Sequence, residues 1–175
     1  KHAKPLYPRR TRITSFEALP TRELSAQEIR LAWDREKGYV GHAVKAETTL
    51  SCSSHDRILL VWEDGRYRVV PPPEKLFVDK GLIYLSVADR DRVFTAVYRG
   101  PDQITYLKRF TFGGAILNKE YALAPRGSKV LLLADRTPEE IYVRYQPAKG
   151  QRIHQQVFRP GDTPVKKVKA RGSVL

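Results

Sequence analysis

The sequence holds one cysteine, Cys52, and no methionine in 175 residues. A single cysteine excludes a disulfide scaffold and any zinc site built from cysteine pairs. No run approaches the ~18 apolar residues that a membrane helix needs. No apolar signal region follows the basic start. Acidic residues are scarce: 19 Asp and Glu stand against 32 Lys and Arg, giving a net charge of +13 and a pI near 10.0. Hydrophobic residues are 41% of the chain and aromatics 10%. That is enough to bury a core, which excludes full disorder, and a collagen or mucin composition is absent. The length suits one domain, or one domain with an arm. The chain opens at Lys1 and stops at Leu175. It reads as an internal piece of a longer protein from a reducing, cytoplasmic compartment.

The positive charge is uneven. Residues 1–30 carry seven Lys and Arg against three acids, a net of +4. Residues 140–175 carry eight against two, a net of +6. The remaining 17 and 14 lie in 31–139, a net of only +3. The middle therefore reads as an ordinary solvated surface, and the ends as surfaces that meet a polyanion. Clustered Lys and Arg at this pI are the electrostatic footprint of nucleic-acid binding, because phosphate neutralisation dominates such contacts. Simple solubility or ribosomal-type basicity is the competing account.

Residues 1–24 show no period and are broken by Pro5, Pro8 and Pro20, as in an arm or linker. Ser25 and Glu28 have capping-box spacing, but Ile29, Leu31 and Trp33 alternate with polar or small residues, which favours a strand. Short β-branched and aromatic runs follow, punctuated by Gly, Pro and Asp. The clearest is Ile58–Trp62, then Glu63-Asp64-Gly65, then Arg66–Val70. Asp-Gly accepts the positive φ of a tight primed turn and predicts a hairpin. Pro71-Pro72-Pro73 stops the sheet, since proline donates nothing to a ladder.

The pattern recurs. Leu82–Val87 leads to Asp89-Arg90, then Val93–Tyr98, a Gly100-Pro101-Asp102 turn and Ile104–Phe110. Val130–Leu133 leads to Asp135-Arg136, then Ile141–Tyr145, a turn through Ala148-Lys149-Gly150 and Ile153–Phe158. Asp56-Arg57 precedes the first hairpin in the same way. Trp62, Tyr98 and Tyr145 mark equivalent points, 36 and 47 residues apart, and read as packing between units. Lys37-Gly38-Tyr39-Val40, Phe112-Gly113-Gly114-Ala115-Ile116 and Arg171-Gly172-Ser173-Val174 each place glycine before a short strand-like step. Repeats of ~40–50 residues with about four strands each predict propeller-like blades. The units run at about 29–76, 77–125 and 126–175, after an arm at 1–28. Three units fall short of the ~4 blades of a closed propeller, so the array is open or incomplete. A plain β-sandwich is the competing architecture.

Candidate DNA contacts follow from strand geometry. Side chains two apart on a strand share a face and lie about 6.6–6.8 Å apart. An extended Lys167-Val168-Lys169-Ala170-Arg171 would set Lys167, Lys169 and Arg171 in one cationic row, with Lys166 beside it. Arg66 and Arg68 form a shorter row. Lys108 and Arg109 point to opposite faces, so one of them faces outward. Such contacts track phosphates and supply affinity and bend, not base sequence. A charged edge that repels aggregation is the competing reading of the same lysines.

Catalytic constellations are weak. Ser53-Ser54-His55-Asp56 holds triad residue types, but adjacent residues cannot converge as a triad, so it reads as a polar turn. His2, His42, His55 and His154 lack metal-ligand spacing. Glu139-Glu140 and Asp34/Glu36 read as solvated turn charges. Gly113-Gly114 lacks the Lys-Ser/Thr of a phosphate loop.

These residues carry a resemblance. Arg35-Glu36-Lys37-Gly38-Tyr39-Val40-Gly41 through Asp56–Val70 resembles the C-terminal domain of the A subunit of bacterial type IIA DNA topoisomerases, the gyrase and topoisomerase IV family. Ile104–Phe110 with Asn118-Lys119-Glu120-Tyr121 is similar to the topoisomerase IV branch. Arg9-Arg10-Thr11-Arg12-Ile13 is similar to the link that leaves the DNA-breakage core. The resemblance implies an all-β pinwheel whose blades exchange strands, which binds and bends duplex DNA on a basic rim and is not catalytic by itself. It implies a partner B subunit that hydrolyses ATP with Mg2+ in the whole enzyme, with no cofactor in this piece. It implies a cleavage tyrosine outside this chain. The Gln-Arg-Arg-Gly-Gly-Lys-Gly-like box of gyrase-type domains has no counterpart in Gly41–Arg57, which favours relaxation or decatenation over gyrase-type wrapping. A protein-binding propeller and an RNA- or ribosome-associated β domain are the alternatives, separable by salt sensitivity and by preference for duplex over single strands.

Overall fold

The structure is a computed structural model that describes residues 27–145 and 152–175. Residues 1–26 of the expected arm, with His2 and Arg9–Ile13, lie outside the described residues, as does the Ala148-Lys149-Gly150 turn, and Glu28 already belongs to the first strand.

The alternation at Ile29, Leu31 and Trp33 wins over the capping-box spacing: Glu28–Asp34 is a strand, β1. Asp34 ends it. Its Oδ1 accepts the Lys37 N–H at 2.9 Å, and its carbonyl accepts Gly38 N–H at 2.8 Å. Gly38 takes φ 71°, a left-handed value that glycine adopts without a Cβ clash. The chain then reverses into β2 (Tyr39–Gly41), and β3 (Thr48–Ser53) pairs along the other edge of β1. β4 (Ile58–Trp62) and β5 (Arg66–Val70) form the hairpin expected from Asp64-Gly65, with Gly65 at φ 84°. β5 stops at Val70, where the three prolines begin.

The other strands are β6 (Leu76–Phe77), β7 (Leu82–Val87), β8 (Phe94–Arg99), β9 (Thr105–Thr111), β10 (Glu120–Ala122) and β11 (Lys129–Ala134). They are followed by β12 (Ile141–Arg144), β13 (Gln155–Phe158), β14 (Val165–Lys167) and β15 (Ser173–Val174), with one 3-10 turn at Pro160–Asp162. The architecture is all-β, with no α-helix among the described residues. Gly113-Gly114 is followed by irregular backbone rather than by the strand-like step the sequence suggests.

The strands form four sheets, ordered β3-β1-β2-β6, β7-β4-β5-β10, β11-β8-β9-β14 with β15 also on β9, and β12-β13. Here they are called sheets A, B, C and D. One rule generates the first three. A hairpin supplies the two central strands. The next strand to return pairs with the first hairpin strand, as β3 does with β1, β7 with β4 and β11 with β8. The second hairpin strand takes a strand from beyond the following hairpin, as β2 takes β6, β5 takes β10 and β9 takes β15. Each sheet is thus completed by its neighbour's chain, the strand exchange that marks a pinwheel-like array. The expected units at about 77–125 and 126–175 contain one hairpin each, β8–β9 and β12–β13, whereas the expected unit at about 29–76 spans two, β1–β2 and β4–β5, which belong to different sheets.

The core lies on both faces of sheet B. All five residues of β4 are buried. Ile58, Leu60 and Trp62 pack with Leu31, Val40 and Cys52 of sheet A, and Leu59 and Val61 pack with Phe94, Ala96, Tyr98 and Phe110 of sheet C. Period two sends alternate residues to opposite faces, so a continuously apolar strand belongs between two layers. Trp62 and Tyr98 sit in these inter-sheet layers, as expected. Trp62 Nε1 donates to the Val78 carbonyl at 2.6 Å, and Tyr98 Oη accepts from Gly172 N–H at 3.1 Å. Tyr145 belongs to neither layer; its hydroxyl bonds Gln156 at 3.3 Å.

Candidate nucleic-acid interface

The candidate cations separate into those already neutralised or buried and those left to solvent. Arg66 and Arg68 point from β5 toward the exchanged strand β10, because Glu120 is the register partner of Arg68. Arg66 meets Asp64 at 2.5 Å, Glu120 at 3.4 Å and Asp79 at 3.5 Å. The bond it donates to Asp64, with the charges of Asp64, Glu120 and Asp79, holds its guanidinium above the ordinary arginine range. Arg68 lies 3.9 Å from the same Glu120 and over the Trp62 ring. The short cationic row exists, but three carboxylates face it.

Lys108 is inward, which corrects its place among the DNA contacts. It is 1% exposed. Its Nζ donates to the carbonyls of Leu123 and Val168, the second at 2.7 Å, and sits 4.7 Å from the Phe110 ring centre. Burial pulls its pKa down to about 8. The alternation of β9 carried the signal: Tyr106, Lys108 and Phe110 share one face, and both neighbours are core aromatics. Arg109 points the other way, as expected, but Nη1 donates to the carbonyls of Gly161 and Thr163 at 3.1 and 2.9 Å. It fastens the turn that leads into β14.

The row Lys167-Lys169-Arg171 is also revised. β14 ends at Lys167, and Val168-Lys169-Ala170 is a turn closed by Ala170 N–H to the Lys167 carbonyl at 2.9 Å. No glycine or proline marks that turn in the sequence. After it, Gly172 passes so close to β9 that a Cβ would lie 2.7 Å from the Leu107 carbonyl oxygen. Arg171 lies over the Tyr106 ring at 4.7 Å and donates to Asp102 at 2.9 Å and to Tyr106 Oη. The Tyr106 hydroxyl, with the Arg171 charge, lowers the Asp102 pKa. Arg171 therefore locks the chain end onto the β8–β9 turn. Lys166, Lys167 and Lys169 remain exposed, and none forms an ion pair with a described residue. Lys166 and Lys167 are successive residues of β14, which period two sends to opposite faces, and Lys169 lies in the turn, so three exposed cations spread over the strand end and the turn replace the straight row.

The remaining chemistry is sparse. Ser53–Asp56 is the polar turn the sequence suggests: Asp56 Oδ2 accepts Ser53 N–H at 2.7 Å, and Ser53 Oγ accepts His55 N–H at 3.2 Å. Cys52 is buried, and burial raises its pKa. Among the described residues no three His, Cys, Asp or Glu side chains stand together as metal ligands. No described helix is long and apolar enough to cross a membrane.

A strand-exchanged all-β array agrees with a family match. The family described as topoisomerase C-terminal domain, Bacteroidota, matches residues 30–175. The chain belongs to that family. This topoisomerase C-terminal domain matches no curated protein and no solved structure.

Proposed function

We propose that this topoisomerase C-terminal domain binds duplex DNA without sequence preference and bends it, presenting a segment to the strand-passage core of a type IIA enzyme. The carrying observation is the exchanged strand β14 and the turn after it, where Lys166, Lys167 and Lys169 are exposed without a described carboxylate. Exposed ammonium groups on one short segment suit phosphate contacts, and bending costs of a few kcal/mol are offset by several such contacts. Arg66 and Arg68 become secondary contacts, limited by Glu120. The domain performs no bond chemistry itself. ATP, Mg2+, the cleavage tyrosine and the B subunit act elsewhere in the enzyme, in the cytoplasm, with relaxation or decatenation as the outcome.

The test is duplex binding against salt concentration. The wild-type log–log slope is steeply negative. Lys166→Ala, Lys167→Ala and Lys169→Ala combined make it shallower by about 2–3 units, near 0.9 for each phosphate no longer neutralised. An unchanged slope removes the site, and an unchanged end-to-end DNA distance by FRET removes the bend.

A further inference from the structure

We infer that the groove between β11 and β12 is a docking site for an extended peptide that alternates apolar and acidic side chains. Among the described residues β11 is an end strand of sheet C, and β12 pairs with β13 alone. Between them lies a cavity of about 520 Å³. Its floor is apolar: Leu131 is 49% exposed, Leu132 38% and Tyr142 67%. The outer strand of sheet A is different, since β3 turns Thr48, Thr49 and Ser51 to solvent. Exposed leucines on an end strand are costly unless something covers them.

Charge selects the occupant. Arg99 and Arg144 flank the cavity, both exposed, and neither pairs with a described carboxylate. No described Asp or Glu lines it. Glu140, which accepts from the Tyr142 hydroxyl at 2.7 Å, is already paired with Arg159 at 3.6 Å. An apolar floor with a cationic rim suits leucine-type side chains on one face of a strand and carboxylates on the other, the recognition mode of strand addition at a sheet edge. Phosphates gain nothing from leucines, so duplex DNA suits the groove less well than a peptide.

The full chain is titrated with three short fluorescein-labelled peptides, alternating Leu–Asp, Ser–Asp and Leu–Ser. The Leu–Asp peptide binds at least about tenfold more tightly than either control. Arg99→Glu with Arg144→Glu weakens it about tenfold or more and transfers the preference to a Leu–Lys peptide, while circular dichroism stays unchanged. Equal binding of the Ser–Asp peptide, no binding of the Leu–Asp peptide, or no response to the charge reversal overturns the inference. So does displacement of the Leu–Asp peptide by a duplex of about 20 base pairs, which assigns the groove to nucleic acid. The Lys166/Lys167/Lys169 variant retains peptide binding, so this result and the DNA result fail separately.

Discussion

Sheet B and the β12–β13 hairpin begin from the same sequence pattern and end in opposite states. The β4–β5 hairpin acquires a returning strand, β7, and an exchanged strand, β10, and carries neighbours on both faces. The β12–β13 hairpin acquires neither among the described residues, and exposes Tyr142 and Val157. A hairpin that gains both partners is buried on two faces, and one that gains neither among the described residues keeps exposed side chains. Sheet B therefore carries stability, and the exposed face of β12–β13 is available for contacts. A second contrast lies in the exchanged strands. β10 brings Glu120 to Arg66 and Arg68, whereas β14 brings lysines that no described carboxylate meets.

The largest effect tests the first contrast. Leu60→Ala, a fully buried position on β4, destabilises the domain by about 2–5 kcal/mol through reduced burial and a cavity. Tyr142→Ala changes stability by about 0.5 kcal/mol or less, as exposed positions do. Denaturant midpoints at constant slope measure both. Similar losses at the two positions would break the comparison.

Lys108 gives the next effect, and its sign is unusual. Burial holds its pKa at about 8, against 10.5 for the free side chain. Between those values the unfolded chain binds the extra proton, so stability rises with pH. The gain from pH 7 to 9.5 is about 2 kcal/mol. Above pH 10 the buried Tyr67, pushed up to about 12, acts the other way, since its unfolded form ionises first. Lys108→Met abolishes the rise below pH 9.5. Chemical denaturation at several pH values reads it, and an equally steep rise in the variant assigns the effect to another group.

Local chemistry made much of this fold legible. Asp64-Gly65 fixes its hairpin because the turn needs positive φ, and the unbroken apolar run of β4 requires two buried faces. Strand exchange was implied only by family resemblance, since it depends on which sheet edges meet, not on any single strand. The site was less legible for the same reason. Arg66 and Arg68 read as free cations until Glu120, 54 residues beyond Arg66, arrives on β10. The Val168-Lys169-Ala170 turn lacks glycine and proline because contacts to β9 form it, with Lys108 holding Val168 and Arg109 holding the approach. Lys108 itself was readable from its alternation with Tyr106 and Phe110, but only by weighting strand period above charge.

The smallest effect sharpens the second contrast. Glu120→Gln keeps the size and strand position of the side chain but removes the carboxylate shared by Arg66 and Arg68. Asp64 and Asp79 still hold Arg66, so Arg68 is the cation released. Stability falls by about 1 kcal/mol or less, because the pairs are partly exposed. If the DNA path crosses β5 as well as the basic turn, the salt dependence of duplex binding steepens by up to about 0.9 unit, the value of one additional neutralised phosphate. If the path is confined to the β14–β15 turn, the slope stays fixed while the lysine triple variant still flattens it. The two outcomes separate a DNA track spanning sheets B and C from one that touches only the exchanged end of sheet C. They also decide whether Glu120 tunes affinity or only neutralises a fold contact.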